Sequence, residues 1–148
     1  MRYVHTNLIA KDWRSLSNFY QKVFGCKPTG HQRDLSGKWI DGITGIEKVH
    51  IVGEHLALPG YEADGPTLEI FSYADSVTAE KHINSHGFSH IAFEVQSVEH
   101  TVDLAVNEGG SVLAEIVSKD YGNMGIGTFV YIRDPEGNII ELQSWKKK

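Results

Sequence analysis

The chain carries two copies of one pattern, and this repeat restricts its fold more than any other feature. The segment HTNLIAKDWRSLSNFYQKVFG (5–25) lies over HIAFEVQSVEHTVDLAVNEGG (90–110) without a gap. His5 falls on His90, Leu8 on Phe93, Ala10 on Val95 and Gly25 on Gly110. With a shorter offset, LEIFSY (68–73) falls on IELQSW (140–145), which sets Glu69 against Glu141. Both halves run from a His, through a helix, to a Glu. Self-similarity of this kind marks one supersecondary unit used twice.

Local signals agree in the two halves. Residues 4–10 and 91–95 are short and apolar, as strands are. Asp12 and Ser97 stand where N-caps belong, with side-chain oxygens able to accept from unpaired helix N–H groups. Trp13, Leu16, Phe19, Tyr20 and Val23 recur at helical spacing, as do Val98, Val102, Ala105 and Val106. Gly25, and Gly109 with Gly110, suit the positive φ at which helices end. Strand-like runs follow at 27–32, 49–58 and 67–73, then at 111–117, 128–133 and 139–145. DPEGN (134–138) places Pro and Gly for a tight reversal and predicts a hairpin of the last two strands.

Each module therefore reads β-α-β-β-β, and the expected class is α+β. The expected layout is a single domain over 1–148, with module 1 at 1–73, a linking helix at 74–89 and module 2 at 90–148. Within the link, DSVTAEKHINSHG (75–87) reads as helical. The Gly-rich DLSGKWIDGITG (34–45) reads as an irregular insertion.

A chain of 148 residues can bury a core without disulfides or a structural metal. Its formal net charge of −5 argues against nucleic acid, because phosphate binding needs a basic face. The basic tail at 146–148 is too short to reverse that. One cysteine, Cys26, permits no internal disulfide and reads as a small buried residue. No secretory leader is read at the start, and no apolar run approaches a membrane span. The expectation is a cytoplasmic protein with no membrane partner.

Side chains on a strand alternate between faces. Leu68 and Ile70 point one way, and Glu69, Phe71 and Tyr73 the other. Ile140 and Leu142 oppose Glu141 and Gln143 in the same manner. Ile91, Phe93 and Val95 take the helix-packed side, which leaves His90, Ala92 and Glu94 opposite. His5 shares its face with Asn7 and Ile9. If the modules build one curved sheet, two His and two Glu line a concave groove. Imidazole with carboxylate suits a divalent ion and leaves positions open for water or substrate. Any one of the four alone reads as a solvated strand residue; their recurrence at matching positions is what points to a metal.

The other histidines lack such support. His82 and His86 stand four apart on the expected linking helix, without the Glu of an H-E-x-x-H site. His100 takes the polar side of its helix. His31, His50 and His55 have no counterpart in the other repeat.

The paired modules, with HTNLIAKDWRSLSNFYQKVFGCKP (5–28), GFSHIAFEV (87–95) and FVYIRDPEGNIIELQSW (129–145), resemble the vicinal oxygen chelate superfamily. That group contains glyoxalases, bleomycin-resistance proteins and extradiol dioxygenases. The resemblance implies that His5, Glu69, His90 and Glu141 are the ligands of one divalent ion per site: Ni, Co, Zn, Mn or Fe. This set is similar to that of glyoxalase I, the lactoylglutathione lyase. It implies proton transfer through an enediolate, which turns the hemithioacetal of an α-ketoaldehyde into a 2-hydroxyacyl thioester. Glu141 is the implied base and Glu69 its partner. Phe71, Tyr73, Phe129 and Tyr131 are candidates for the substrate pocket wall, and Lys38, Trp39, Lys119 and Asn123 for a covering segment. Glutathione-dependent members typically carry Arg and Asn where this chain has Ile9 and Tyr73. The implied partners are a small-molecule substrate and a second copy, in a homodimer with shared sites. The alternatives are a non-catalytic binding or resistance protein, an epimerase, or a thiol transferase of the same superfamily.

Overall fold

The structure, a computed structural model, describes residues 1–61 and 64–147; Lys148, the end of the basic tail, lies outside the described residues. The chain divides into two compact units, Met1–Thr78 and Ala79–Lys148, so the boundary falls inside the expected link.

The first unit runs β1 (His5–Ile9), α1 (Trp13–Phe24), β2 (Lys27–Pro28), β3 (Arg33–Ser36), α2 (Lys38–Thr44), β4 (His50–Ala57) and β5 (Thr67–Tyr73). The second runs β6 (His90–Glu94), α3 (Val98–Asn107), β7 (Ser111–Val112), β8 (Val117–Asp120), a 3₁₀ turn (Gly122–Met124), β9 (Ile126–Arg133) and β10 (Ile139–Lys146). Each unit forms a five-stranded sheet, β1-β5-β4-β2 with β3 also on β4, and β6-β10-β9-β7 with β8 also on β9. In both sheets the Glu-bearing strand is central. It pairs parallel to the His-bearing strand on one side and antiparallel to the long strand on the other.

The helices begin and end where their caps are. Asp12 Oδ1 accepts from the backbone N–H of Arg14 and Ser15, and Gly25 closes α1 in the left-handed region at φ 70°. Ser97 accepts from the His100 N–H at the start of α3. Trp13, Leu16, Phe19 and Tyr20 are buried, together with Phe24 at the helix end. Val98, Thr101, Val102 and Ala105 are buried on α3, but Val106 is exposed; its place at the C-terminal end turns it out of the apolar stripe. The sheet faces beneath are tightly closed: Leu56, Leu68, Ile70, Ile132, Ile140 and Leu142 are fully buried. Each such side chain contributes about 1.5–3 kcal/mol on leaving water. One carboxylate, Glu54, is buried on this side of the first sheet and accepts from the Ser17 hydroxyl of α1.

Three expectations need correction. The linking helix at 74–89 does not form; the segment holds turns and bends. None of its residues is buried, and Val77 is almost fully exposed. A helix of that length with no face to bury does not repay its nucleation cost. Its Lys81 instead donates to the Glu136 carbonyl and to Asn138 Oδ1 in the hairpin turn. The insertion at 34–45 is not irregular: it contains most of β3 and all of α2. Burial decides this, since Leu35 and Ile40 pack with Val49, Ile51, Phe71 and Tyr73. The run at 27–32 is paired only at Lys27–Pro28, and the run at 111–117 is likewise interrupted after Val112. Both are edge strands with one neighbour, and Pro28 lacks an N–H for the ladder.

The hairpin turn forms as expected. Asp134 Oδ1 accepts from the N–H groups of Glu136 and Asn138, and the turn carries Gly137 at φ 80°. Cys26 is buried, which pushes its thiol up to about 12.

Gly53 marks the tightest approach in the first sheet. A Cβ there would lie 2.1 Å from the Ile70 carbonyl oxygen and 2.4 Å from the Phe71 ring. Gly53→Ala should therefore cost about 1–3 kcal/mol, as overpacking does. Gly42, in α2, meets nothing within 4 Å, and Gly42→Ala should stabilise by about 0.4–1 kcal/mol. Urea unfolding of the two variants measures both; equal midpoints would refute the difference.

Candidate metal centre

The two Glu side chains are withdrawn but reachable, 15% exposed at Glu69 and 19% at Glu141. Each is held out of the core by flanking residues that are fully buried on the other face: Leu68 and Ile70, and Ile140 and Leu142. His5 Nε2 lies 3.3 Å from Glu69 Oε2. His90 Nε2 lies 3.2 Å from Glu141 Oε2. The two contacts are built alike, because His5 pairs with Thr67 and His90 with Ile139, each two residues before its Glu. The structure thus brings the four expected residues together as two pairs, one in each unit.

Each pair has a further partner that the internal repeat does not reveal. His55 stands opposite Glu69 on β4, and its Nε2 lies 3.2 Å from Glu69 Oε1. Tyr131 stands opposite Glu141 on β9, and its hydroxyl donates to Glu141 Oε2 at 2.8 Å. His55 and Tyr131 hold equivalent places in the two sheets but are different residues, so matching by residue type passes over them. Glu69 also accepts from Asn7 Nδ2 at 3.2 Å on Oε2. Both oxygens of Glu69 are thus engaged. At Glu141 both contacts fall on Oε2, and among the described residues no hydrogen bond reaches Oε1.

Burial is the main cause that holds the His55 imidazole below its ordinary pKa, opposed by the Glu69 charge and reinforced by Arg33 and His5. Tyr131 is shifted upward, chiefly by its hydrogen bond to Glu141, then by burial and by the carboxylate charge.

The donors are of the kind a divalent first-row ion takes, imidazole nitrogen and carboxylate oxygen. Among the described residues, no three His, Cys, Asp or Glu in either unit gather closely enough to hold an ion by themselves. His5 and His55 approach different oxygens of Glu69.

The expected pocket residues divide. Phe71 is 7% exposed and belongs to the cluster with Ile40, Val49 and Ile51, and Tyr73 packs against it. Phe71 meets His55 edge-on at 5.7 Å. Tyr131 faces the His90 ring at 5.2 Å. Phe129 stacks edge-on with Trp145 and Tyr121 at 5.5 and 6.0 Å. Lys38 and Trp39 are exposed on α2, Asn123 in the 3₁₀ turn, and Lys119 Nζ stands 5.1 Å from the Tyr121 ring. The remaining histidines lie elsewhere: His82 Nε2 contacts Glu80 and His50 Nε2 contacts Asp34, while His31, His86 and His100 are exposed. Among the described residues, no helix is long and apolar enough to cross a membrane.

Residues 2–142 match the sequence profile of the Glyoxalase/Bleomycin resistance protein/Dioxygenase superfamily, and the chain belongs to it. The superfamily includes glyoxalases, and its members generally bind a divalent metal. Solved structures share the fold. A glyoxalase family protein from Bacillus cereus superposes with TM-score 0.75 at 20% identity, covering 98% of this chain and 93% of its own. The trypanothione-dependent glyoxalase I of Leishmania major superposes with TM-score 0.63 at 24% identity, covering 97% and 86%. A family enzyme from Burkholderia phytofirmans gives TM-score 0.59 at 16% identity, covering 96% and 97%. No curated protein sequence matches the chain.

The Tyr131 phenol should ionise above the ordinary value of 10.0, since its anion would form beside the Glu141 carboxylate. Phenolate absorbance, taken as the difference from Tyr131→Phe, reads this. In Glu141→Gln the midpoint should fall back toward 10.0, because the hydrogen bond to a carboxylate and the adjacent charge are both gone. An unchanged midpoint would show that burial alone sets it.

Proposed function

We propose that the chain is a divalent-metal-dependent, glyoxalase-like enzyme whose ion is held by His5, Glu69, His90 and Glu141. One observation carries this reading: the same His–Glu pair, at the same register, on the open face of both sheets. Each pair supplies two of the four proposed donors. The reading includes a homodimer in which one copy supplies His5 and Glu69 and the other His90 and Glu141. Closed two-fold association is the commonest way chains of this size assemble.

Bound there, the ion would supply Lewis acidity, which lowers the cost of removing a proton next to a carbonyl. The chain's own residues do the rest. Glu141 is the better base, because its Oε1 is open while both oxygens of Glu69 are engaged. On a hemithioacetal, Glu141 takes the proton from the carbon bearing the thiol sulfur. It returns that proton to the neighbouring carbonyl carbon. The hydroxyl proton of the first carbon passes to the oxygen of the second, so the first becomes the thioester carbonyl, the second a secondary alcohol, and no oxidant or reductant is consumed. Tyr131 fixes the carboxylate through Oε2 and so aims Oε1. Ile9 and Tyr73 add no charge for a thiol's carboxylates, so the thiol is best sought among several.

Purified protein loaded with Ni(II) should hold about one ion per site, and His5→Ala with His90→Ala should abolish uptake; metal retained by the double variant would overturn the ligand set. Glu141→Gln should lower hemithioacetal isomerisation by about 10²–10⁴-fold, the usual worth of a general base, with uptake at least partly kept. Uptake without turnover in the wild type, across several thiols, would leave a metal-dependent binding protein.

Sharing of sites has its own test. His5→Ala chains mixed equally with Glu141→Gln chains, unfolded and refolded together, should regain about a quarter of wild-type activity by random two-fold assembly. No recovery, or a monomer by light scattering, would place all four ligands within one chain.

A further inference from the structure

The open face of the first sheet is organised in rows that cross the strands. One row is Asn7–Glu69–His55. The next, two residues along, is Ile9–Phe71–Gly53–Arg33. Residues directly opposite one another across strands share a face, so Arg33 lies on the Glu69 side. Leu35 confirms the face, since it stands two residues after Arg33 and packs with Phe71 and Ile51. From strand spacings, Arg33 is two strands over and one row on from Glu69, about 10 Å across and about 7 Å along.

The rows differ in what covers them. The row beyond Arg33, Tyr73–Ile51–Leu35, is closed by Ile40 of α2. Arg33 is therefore on the last row before that wall. It is exposed, and among the described residues no carboxylate lies within ion-pair distance of it. Its charge is felt at His55, which it helps to hold neutral.

The fold does not need this guanidinium. In the second sheet Phe129 is the equivalent of Gly53, and the residue opposite Phe129 on the edge strand is Val117. The repeat thus tolerates an apolar residue where the first unit carries a cation. Among the described residues Arg33 has no ion-pair partner; it is a planar cation with five donors, on the face of the candidate ligands, beside a glycine that adds no side chain. Such a group matches a carboxylate or phosphate in a bidentate manner.

We propose that Arg33 anchors an anionic group, carboxylate or phosphate, of a substrate whose paired oxygens sit at the metal ligands. This inference rests on the metal-site reading above and adds a substrate class to it: small molecules with two adjacent oxygens at one end and an anion at the other.

Matched pairs of probes test it by calorimetry on the Ni(II)-loaded full chain. 2-Hydroxyglutarate against 2-hydroxyvalerate isolates a distal carboxylate; 3-phosphoglycerate against glycerate isolates a phosphate. In the wild type the member with the additional distal anion should, in at least one pair, bind about tenfold tighter or more, as charge-assisted bonds allow. The pair that shows the preference names the anion. Arg33→Gln should erase the preference and leave unchanged both Ni(II) uptake and the affinity of the probe without the distal anion, whereas Arg33→Lys should keep part of it. Equal binding within both pairs by the wild type, or a preference unchanged in Arg33→Gln, overturns the assignment. Failure of Ni(II) uptake would instead overturn the metal reading. The same pairs on metal-free protein would then decide the role of Arg33 by the same criterion.

Discussion

The alternation of side chains along β5 and β10 is the constraint on which everything else depends. Leu68, Ile70, Ile140 and Leu142 are fully buried beneath the helices. With those four fixed, Glu69 and Glu141 have only the other face. A slip of one residue in either strand would drive a carboxylate into the apolar layer and bring two aliphatic side chains out. Truncating one of the buried leucines typically costs about 2–5 kcal/mol, so the register is held by far more than the contacts of the Glu itself. Packing energy on one face positions chemistry on the other. Because each Glu strand is central, it is also gripped from both sides, by the His strand in parallel and by the long strand antiparallel.

The parts of the site that follow from this alternation were legible in the sequence. The two strands of each His–Glu pair could be read from apolar periodicity, and the repeat paired them. The caps at Asp12, Ser97 and Gly25 were legible for the same reason: each is a local arrangement with a local signature. His55 was not, because its role depends on which residue of β4 lies opposite Glu69. That register is set by pairing across 14 positions, and its counterpart is Tyr131 rather than a second His. α2 was hidden by its glycines, since the burial of Ile40 against Val49, Ile51 and Phe71 is a tertiary effect. The link at 74–89 failed in the opposite sense. Its composition allows a helix, but nothing covers it, and propensity without burial does not order so short a segment.

The two units share a scaffold and differ where the scaffold is indifferent. The row next to Glu69 reads Ile9–Phe71–Gly53–Arg33, and the matching row next to Glu141 reads Glu94–Gln143–Phe129–Val117. In the first unit the aromatic ring comes from the Glu strand and lies over a glycine; in the second it comes from the neighbouring strand. The buried faces match more closely: aliphatic residues stand at Leu56 and Ile132, at Leu68 and Ile140, and at Ile70 and Leu142, and the exchange there is Glu54, held by Ser17, where the second sheet has Val130. The core is under a common packing demand, while the open rows are free to diverge.

That divergence reaches the two carboxylates themselves. A carboxylate has two oxygens, and what engages each decides what it can do. Asn7 and His5 share one oxygen of Glu69 and His55 takes the other, so rotation or protonation of that group disturbs three partners. Glu141 is fixed through one oxygen by Tyr131 and His90. The Tyr131 hydroxyl is kept protonated to higher pH chiefly by its hydrogen bond to that carboxylate, so it remains a donor to Oε2. The first unit thus holds its carboxylate still, and the second leaves one oxygen available. A repeated scaffold holds its two carboxylates differently through changes at both residues facing each Glu, Asn7 and His55 in one sheet and Ala92 and Tyr131 in the other.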